Sequence, residues 1–319
     1  MPNIDKPLPE LRNYQGINPK PADFDVFWDK ALAEMQAVDP RVELRPANFS
    51  APFAECFHLF FTGVGGSRVH AKYLRPKQSS GPKPAILWFH GYGGASVDWS
   101  EYLNYVAMGF SVAALDCRGQ GGLSEDLALY RGTTFKGHIL RGLDDAPEKL
   151  AFRQIFLDTA QLAKIVSGFP EVDPDRLGAA GGSQGGALCI ACAALAPEIK
   201  RLAPIHPFLS DYQRVWEMDL AVNAYEELKY YFRIIDPLHQ REQEVFTKLG
   251  YIDVQHLAPR VRGEVMMAIT LMDAICPPSS QFAVFNKIQS PKEAVIYPDY
   301  AHERLPGFHD KTFEFLTQL

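Results

Sequence analysis

The sequence predicts an α/β fold, a mostly parallel, doubly wound sheet within one domain over residues 1–319. Two observations predict it. Runs that are apolar at nearly every position recur along the chain: Ala85–Phe89, Phe110–Leu115, Leu177–Ala180, Val265–Leu271 and Ala294–Tyr297. A strand with helices on both faces needs that pattern, because neither face meets water. Between these runs lie stretches of helical period, the clearest being Phe152, Ile155, Phe156, Thr159, Leu162, Ala163 and Val166.

Taken in order, residues 1–80 read as an extension. Phe24, Phe27, Trp28, Ala31, Leu32 and Met35 recur at three- and four-residue steps after Pro21, which predicts a helix. Phe57–Phe61 and Val69–Leu74 then flank Gly63-Val-Gly-Gly66, which predicts a hairpin. The sheet begins at Pro84. The polar and aromatic stretch from about 210 to 250 fits no strand–helix alternation and reads as a small inserted helical cap. Thr312–Leu319 reads as a short closing helix.

Composition excludes several classes. With 47% hydrophobic and 22% charged residues the chain is not disordered. Its net charge is −6 and it holds no block of five like charges, so no nucleic-acid partner is expected. The longest small or apolar run, Gly185–Ala196, is 12 residues, short of the roughly 20 a membrane span needs. Nothing apolar backs Lys6, so the start does not read as a signal peptide. Five cysteines, an odd and small number, suggest reduced thiols and a cytoplasmic setting. Cys189 and Cys192 form a C-x-x-C, but no second pair completes a zinc site. His302-Glu303 is not H-E-x-x-H, since Pro306 stands at the last position. No P-loop or G-x-G-x-x-G is present, so no metal, nucleotide, flavin or other cofactor is expected.

The strongest chemical signal is Gly181-Gly182-Ser183-Gln184-Gly185, a G-x-S-x-G between a strand and a helical run. A serine on such a sharp turn needs neighbours with almost no side chain, and the helix start beneath it favours developing negative charge. The competing reading is a glycine-rich turn with an incidental serine. A serine hydroxyl needs a base. Asp273 ends one late strand and His302 follows the next, in the chain order Ser, acid, His. In that reading His302 takes the Ser183 proton and Asp273 orients the imidazole. Among nine histidines, His90, His138, His206, His239 and His256 come before Asp273, so His309 is the one rival base. His90-Gly91-Tyr92-Gly93-Gly94 follows a strand where one oxyanion-hole N–H is expected, Gln184 supplying the second.

Together these residues resemble carbohydrate esterase family 7, the acetyl xylan esterases and cephalosporin C deacetylases. The resemblance runs over nearly the whole chain. It is carried by Asp23–Trp28, His90–Gly94, Arg118-Gly-Gln120, Gly137–Gly142, Gly181–Gly185, Leu271–Pro278 and His302-Glu303, and departs most in the cap near Met218–Tyr231. It implies an α/β-hydrolase fold with Ser183, Asp273 and His302 as catalytic triad. It implies the Tyr92 and Gln184 N–H groups as oxyanion hole, and Tyr92, Phe208 and Ile275 as substrate-binding residues. The implied activity is hydrolysis of small acetyl esters of sugars and of cephalosporin C. The implied partners are a small acetylated substrate and further copies of the chain, in a homohexamer built as a trimer of dimers around a cavity. Arg118 reads as structural, a guanidinium pinning nearby carboxylates or carbonyls. Because a fold does not set an activity, a peptidase or lactonase, or a silent ligand-binding scaffold, are the alternatives.

Overall fold

The fully apolar runs become interior strands. The computed structural model describes residues 4–132 and 137–319. Among the described residues one sheet holds β1 (Glu43–Pro46), β2 (Ala54–Thr62), β3 (Arg68–Pro76), β4 (Lys83–Phe89), β5 (Ser111–Leu115), β6 (Val172–Gly182), β7 (Ile199–Ile205), β8 (Glu264–Thr270) and β9 (Lys292–Tyr297). Helices α1 (Leu8–Leu11), α2 (Phe24–Ala37), α3 (Leu103–Ala107), α4 (Ala151–Ser167) and α5 (Gln184–Leu195) come first. They are followed by α6 (Tyr212–Glu217), α7 (Glu226–Ile234), α8 (Glu242–Leu249), α9 (Val254–Leu257), α10 (Pro278–Lys287) and α11 (Phe308–Leu316). None of the described helices is long and apolar enough to cross a membrane.

Strand order is β1-β2-β3-β5-β4-β6-β7-β8-β9. The hairpin expected from alternation is β2–β3, antiparallel with Phe57 opposite Tyr73, and β2 alternates buried and part-exposed residues as a half-covered strand must. From β5 through β9 every pairing is parallel, and β5 is buried at every position. The chain leaves β4 to one side for β5 and returns to its other side for β6. A crevice opens where such a reversal occurs, outside the carboxyl ends of the strands. The segment read as a cap carries α6, α7 and α8.

Two elements differ from expectation. β7 (Ile-Lys-Arg-Leu-Ala-Pro-Ile) was not foreseen, because Lys200 and Arg201 break its apolar run; Arg201 pairs with Glu264 at 3.1 Å instead of entering the core. The closing helix starts at Phe308 rather than Thr312, since Gly307 turns the chain with φ 72°. The five cysteines are unpaired and buried, Cys189 and Cys192 within the fully buried α5.

Two buried acids tie the extension and the loops to the sheet. Asp211 accepts from the Tyr14 hydroxyl at 2.7 Å and from the Ile17 and Asn18 amides at 2.9 and 2.8 Å. Asp158, on α4, receives Arg118 through Nε at 2.5 Å and Nη2 at 2.7 Å, while Nη1 reaches the Val64 carbonyl. The structural reading of Arg118 is thus met by a two-pronged pair with both side chains almost fully buried. Removing one partner strands the other charge in the core. Arg118→Met is expected to cost about 3–5 kcal/mol, read as a lower urea midpoint; an unmoved midpoint would show the pair contributes nothing.

Candidate active site

Ser183 sits between the last residue of β6 and the first of α5, with φ 57° and ψ −118°. For a residue with a side chain such backbone costs roughly 1–3 kcal/mol and persists only where the surroundings enforce it. They do so through close approach. A Cβ on Gly181 would lie 2.5 Å from the Phe89 carbonyl oxygen and one on Gly185 only 2.1 Å from it. The Ser183 amide donates to the Ile205 carbonyl at 2.9 Å, and the Ser183 carbonyl accepts from Phe208 N at 3.0 Å. The serine is therefore gripped from the ends of β4 and β7.

The next strands deliver the other two residues. Asp273, following β8, is fully buried. Its Oδ1 accepts from the amides of Ile275 and Cys276, both at 2.8 Å, and its Oδ2 accepts from His302 Nδ1 at 2.7 Å. That leaves Nε2 as the basic nitrogen of His302. The Ser183 side chain lies beside the buried Cys276 thiol, whose pKa burial and the Asp273 charge raise and Ser183 lowers. Asp273 and His302 thus touch directly; among the described residues no hydrogen bond joins the Ser183 hydroxyl to either. The rival His309 lies elsewhere, lining a groove with Trp88, Tyr105 and Phe313.

The turn after β4 is held by several bonds. His90 Nε2 accepts from Cys117 N at 3.0 Å, so Nδ1 carries the proton and donates to the Gly91 carbonyl at 2.7 Å. Gln120 Oε1 accepts from Gly93 N at 2.9 Å, and its amide pairs with that of Gln184. Gln120 thus couples the backbone segments carrying the Tyr92 and Gln184 N–H groups. Phe208 is buried, with its ring centroid 5.3 Å from Tyr92, and Ile275 is half-buried beside Asp273.

Two residues escaped the sequence reading. The ring of His206, following β7, lies 4.3 Å from that of His302. Burial and the neighbouring His302 lower its pKa to about 4, so it is neutral near pH 7. Glu227, on α7, turns its buried carboxylate toward Tyr92. It accepts from the amides of Ile139 and Leu140 at 2.8 and 3.0 Å and from the Tyr92 hydroxyl at 3.3 Å. His138 N donates to the same hydroxyl at 2.6 Å. No local signal marks either residue, because each matters only through neighbours distant in the chain.

A parallel sheet with a serine on a strained strand-to-helix turn and an Asp–His pair on the following strand ends defines an α/β-hydrolase. The chain matches the acetyl xylan esterase (AXE1) family over residues 1–319 and belongs to it, which places it among the carboxylic ester hydrolases. It is similar to acetyl xylan esterase 1 from Thermoanaerobacterium sp. JW/SL YS485, with 56% identity and a TM-score of 0.97 over 98% of this chain and 99% of that one. The acetyl xylan esterase from Paenibacillus sp. R4 is 34% identical, with a TM-score of 0.94 and the same coverage. Acetyl esterase Axe7A of Xylanibacter ruminicola is 25% identical over 301 residues, 92% of this chain; the chain spans 66% of that protein's length.

Burial lifts the Glu227 pKa from 4.5 to about 7 against the pull of the Leu140 and Ile139 amides. A carboxyl that holds its proton more tightly when folded stabilises the fold fully at low pH and loses that contribution as pH rises to about 7. Glu227→Gln is expected to flatten the fall in stability between about pH 4.5 and 7, measured as urea midpoints across pH. Identical slopes in variant and wild type would contradict this.

Proposed function

We propose that this chain is a serine esterase removing acetyl groups from sugars such as acetylated xylo-oligosaccharides, and from cephalosporin C, through an acyl-enzyme. One observation carries the reading: the 2.7 Å bond from His302 Nδ1 to a buried Asp273, at the sheet end that presents Ser183. Asp273 fixes the imidazole so that Nε2 takes the Ser183 proton as Oγ attacks the acetyl carbonyl. The Tyr92 and Gln184 amides receive the oxygen that becomes negative; such a donor is worth roughly 10²–10³ in rate. His302 then returns the proton to the departing sugar oxygen, and water releases acetate by the reverse sequence.

Phe208 and Ile275 limit the acyl pocket in this reading. Since one methylene is worth about 1–3 kcal/mol in such a pocket, preference for short chains is graded. p-Nitrophenyl acetate is expected to outpace the butyrate and octanoate; rates that rise with chain length would contradict the small pocket. The unpaired, buried cysteines support a cytoplasmic setting. A homohexamer, a trimer of dimers, is the proposed assembly, checked by sedimentation.

Ser183→Ala is expected to lower acetate release from acetylated xylo-oligosaccharides by roughly 10⁴–10⁶-fold with the fold intact; wild-type turnover would end the serine mechanism.

A further inference from the structure

Two imidazoles meet at this end of the sheet, and the mechanism uses one. His206 is 6% exposed, and its Nδ1 is sealed from solvent with no hydrogen-bond partner. A buried polar nitrogen without a partner is costly and calls for explanation. One ligating atom each from His206, Asp273 and His302 lie within 4.8 Å of one another.

We propose that His206, Asp273 and His302 form a Zn²⁺ site whose occupation reversibly blocks the esterase. The donor set suits this ion: two imidazoles and one carboxylate, a three-ligand set that water completes to four. Magnesium and calcium prefer all-oxygen shells and have little to gain here. Zinc binds imidazole and carboxylate at about 2.0–2.2 Å, which puts tetrahedral ligands about 3.4 Å apart. His302 Nδ1 and Asp273 Oδ2 now stand 2.7 Å apart, and a small rotation of the His302 ring opens that pair to the ligand spacing. His302 is the member free to do so, its side chain 19% exposed while Asp273 and His206 are buried. Coordination through Nδ1 replaces the bond to Asp273 that orients the ring. Coordination through Nε2 takes the lone pair that receives the serine proton. Either way the metal and catalysis exclude each other. No local sequence motif signals such a site, because its ligands follow three different strands.

The blocking half of the proposal rests on the serine-esterase reading; the binding half does not, and the test separates them. Zinc chloride is titrated calorimetrically into the chelator-treated full chain, with magnesium chloride as control, for wild type, His206→Val, His206→Gln and Ser183→Ala. Inhibition of p-nitrophenyl acetate hydrolysis is followed in parallel. Wild type and Ser183→Ala are expected to bind one zinc tightly and no magnesium. Both His206 variants are expected to weaken zinc binding, and to raise the half-inhibiting zinc concentration, by about tenfold or more, since even an outer-shell partner is worth roughly 10–100-fold in metal affinity. A chelator restores wild-type activity. His206→Gln carries the test if circular dichroism shows that His206→Val has not folded. Absence of tight zinc binding in wild type, or equal zinc affinity and inhibition in a folded His206 variant, overturns the proposal. Loss of the serine mechanism would show separately, as turnover retained by Ser183→Ala.

Discussion

The site depends on one close backbone approach. The Phe89 carbonyl, closing β4, comes so near β6 and α5 that neither Gly181 nor Gly185 has room for a Cβ. That contact bends the chain sharply enough to hold Ser183 at positive φ and lays the 90–94 turn beside it. Ser183 and the 90–94 backbone are thus placed by the same packing event. The conformational cost at Ser183 is borne by a parallel sheet whose register sets Phe89 beside Gly181 and Gly182 beside Ile205.

Buried and half-buried polar side chains then lock this geometry, each engaging more than one partner. Asp273 spends one oxygen on two loop amides and the other on His302. Gln120 joins the turn after β4 to the start of α5. Two residues earlier, Arg118 secures the same loop to α4 through Asp158. Glu227 reaches from α7 to the Tyr92 hydroxyl and the amides of Ile139 and Leu140, so a helix between β7 and β8 supports the same turn. In a low-dielectric interior such satisfied networks are rigid, which suits groups that must not reorganise as charge develops.

Much of this was legible from residues that carry local rules. Apolar runs gave the interior strands, three- and four-residue steps gave α2 and α4, and the glycines around Ser183 gave the elbow. Legibility failed where a residue's role depends on what packs against it. β7 was obscured by two basic residues at its solvent-facing start. His206 and Glu227 sit in unremarkable local sequence, and their placement beside His302 and Tyr92 follows from strand order and from the docking of α7.

The sequence by itself determined the α/β class, the strained serine turn and the chain order of Ser183, Asp273 and His302, because backbone sterics and side-chain period act within a few residues. Only the tertiary structure decided that Asp273 faces His302, that the His206 ring packs against it, and that Gln120 and Glu227 brace the turn. Those contacts join residues tens of positions apart, and their energies exist only once the sheet has brought the strand ends side by side and water has been excluded from between them.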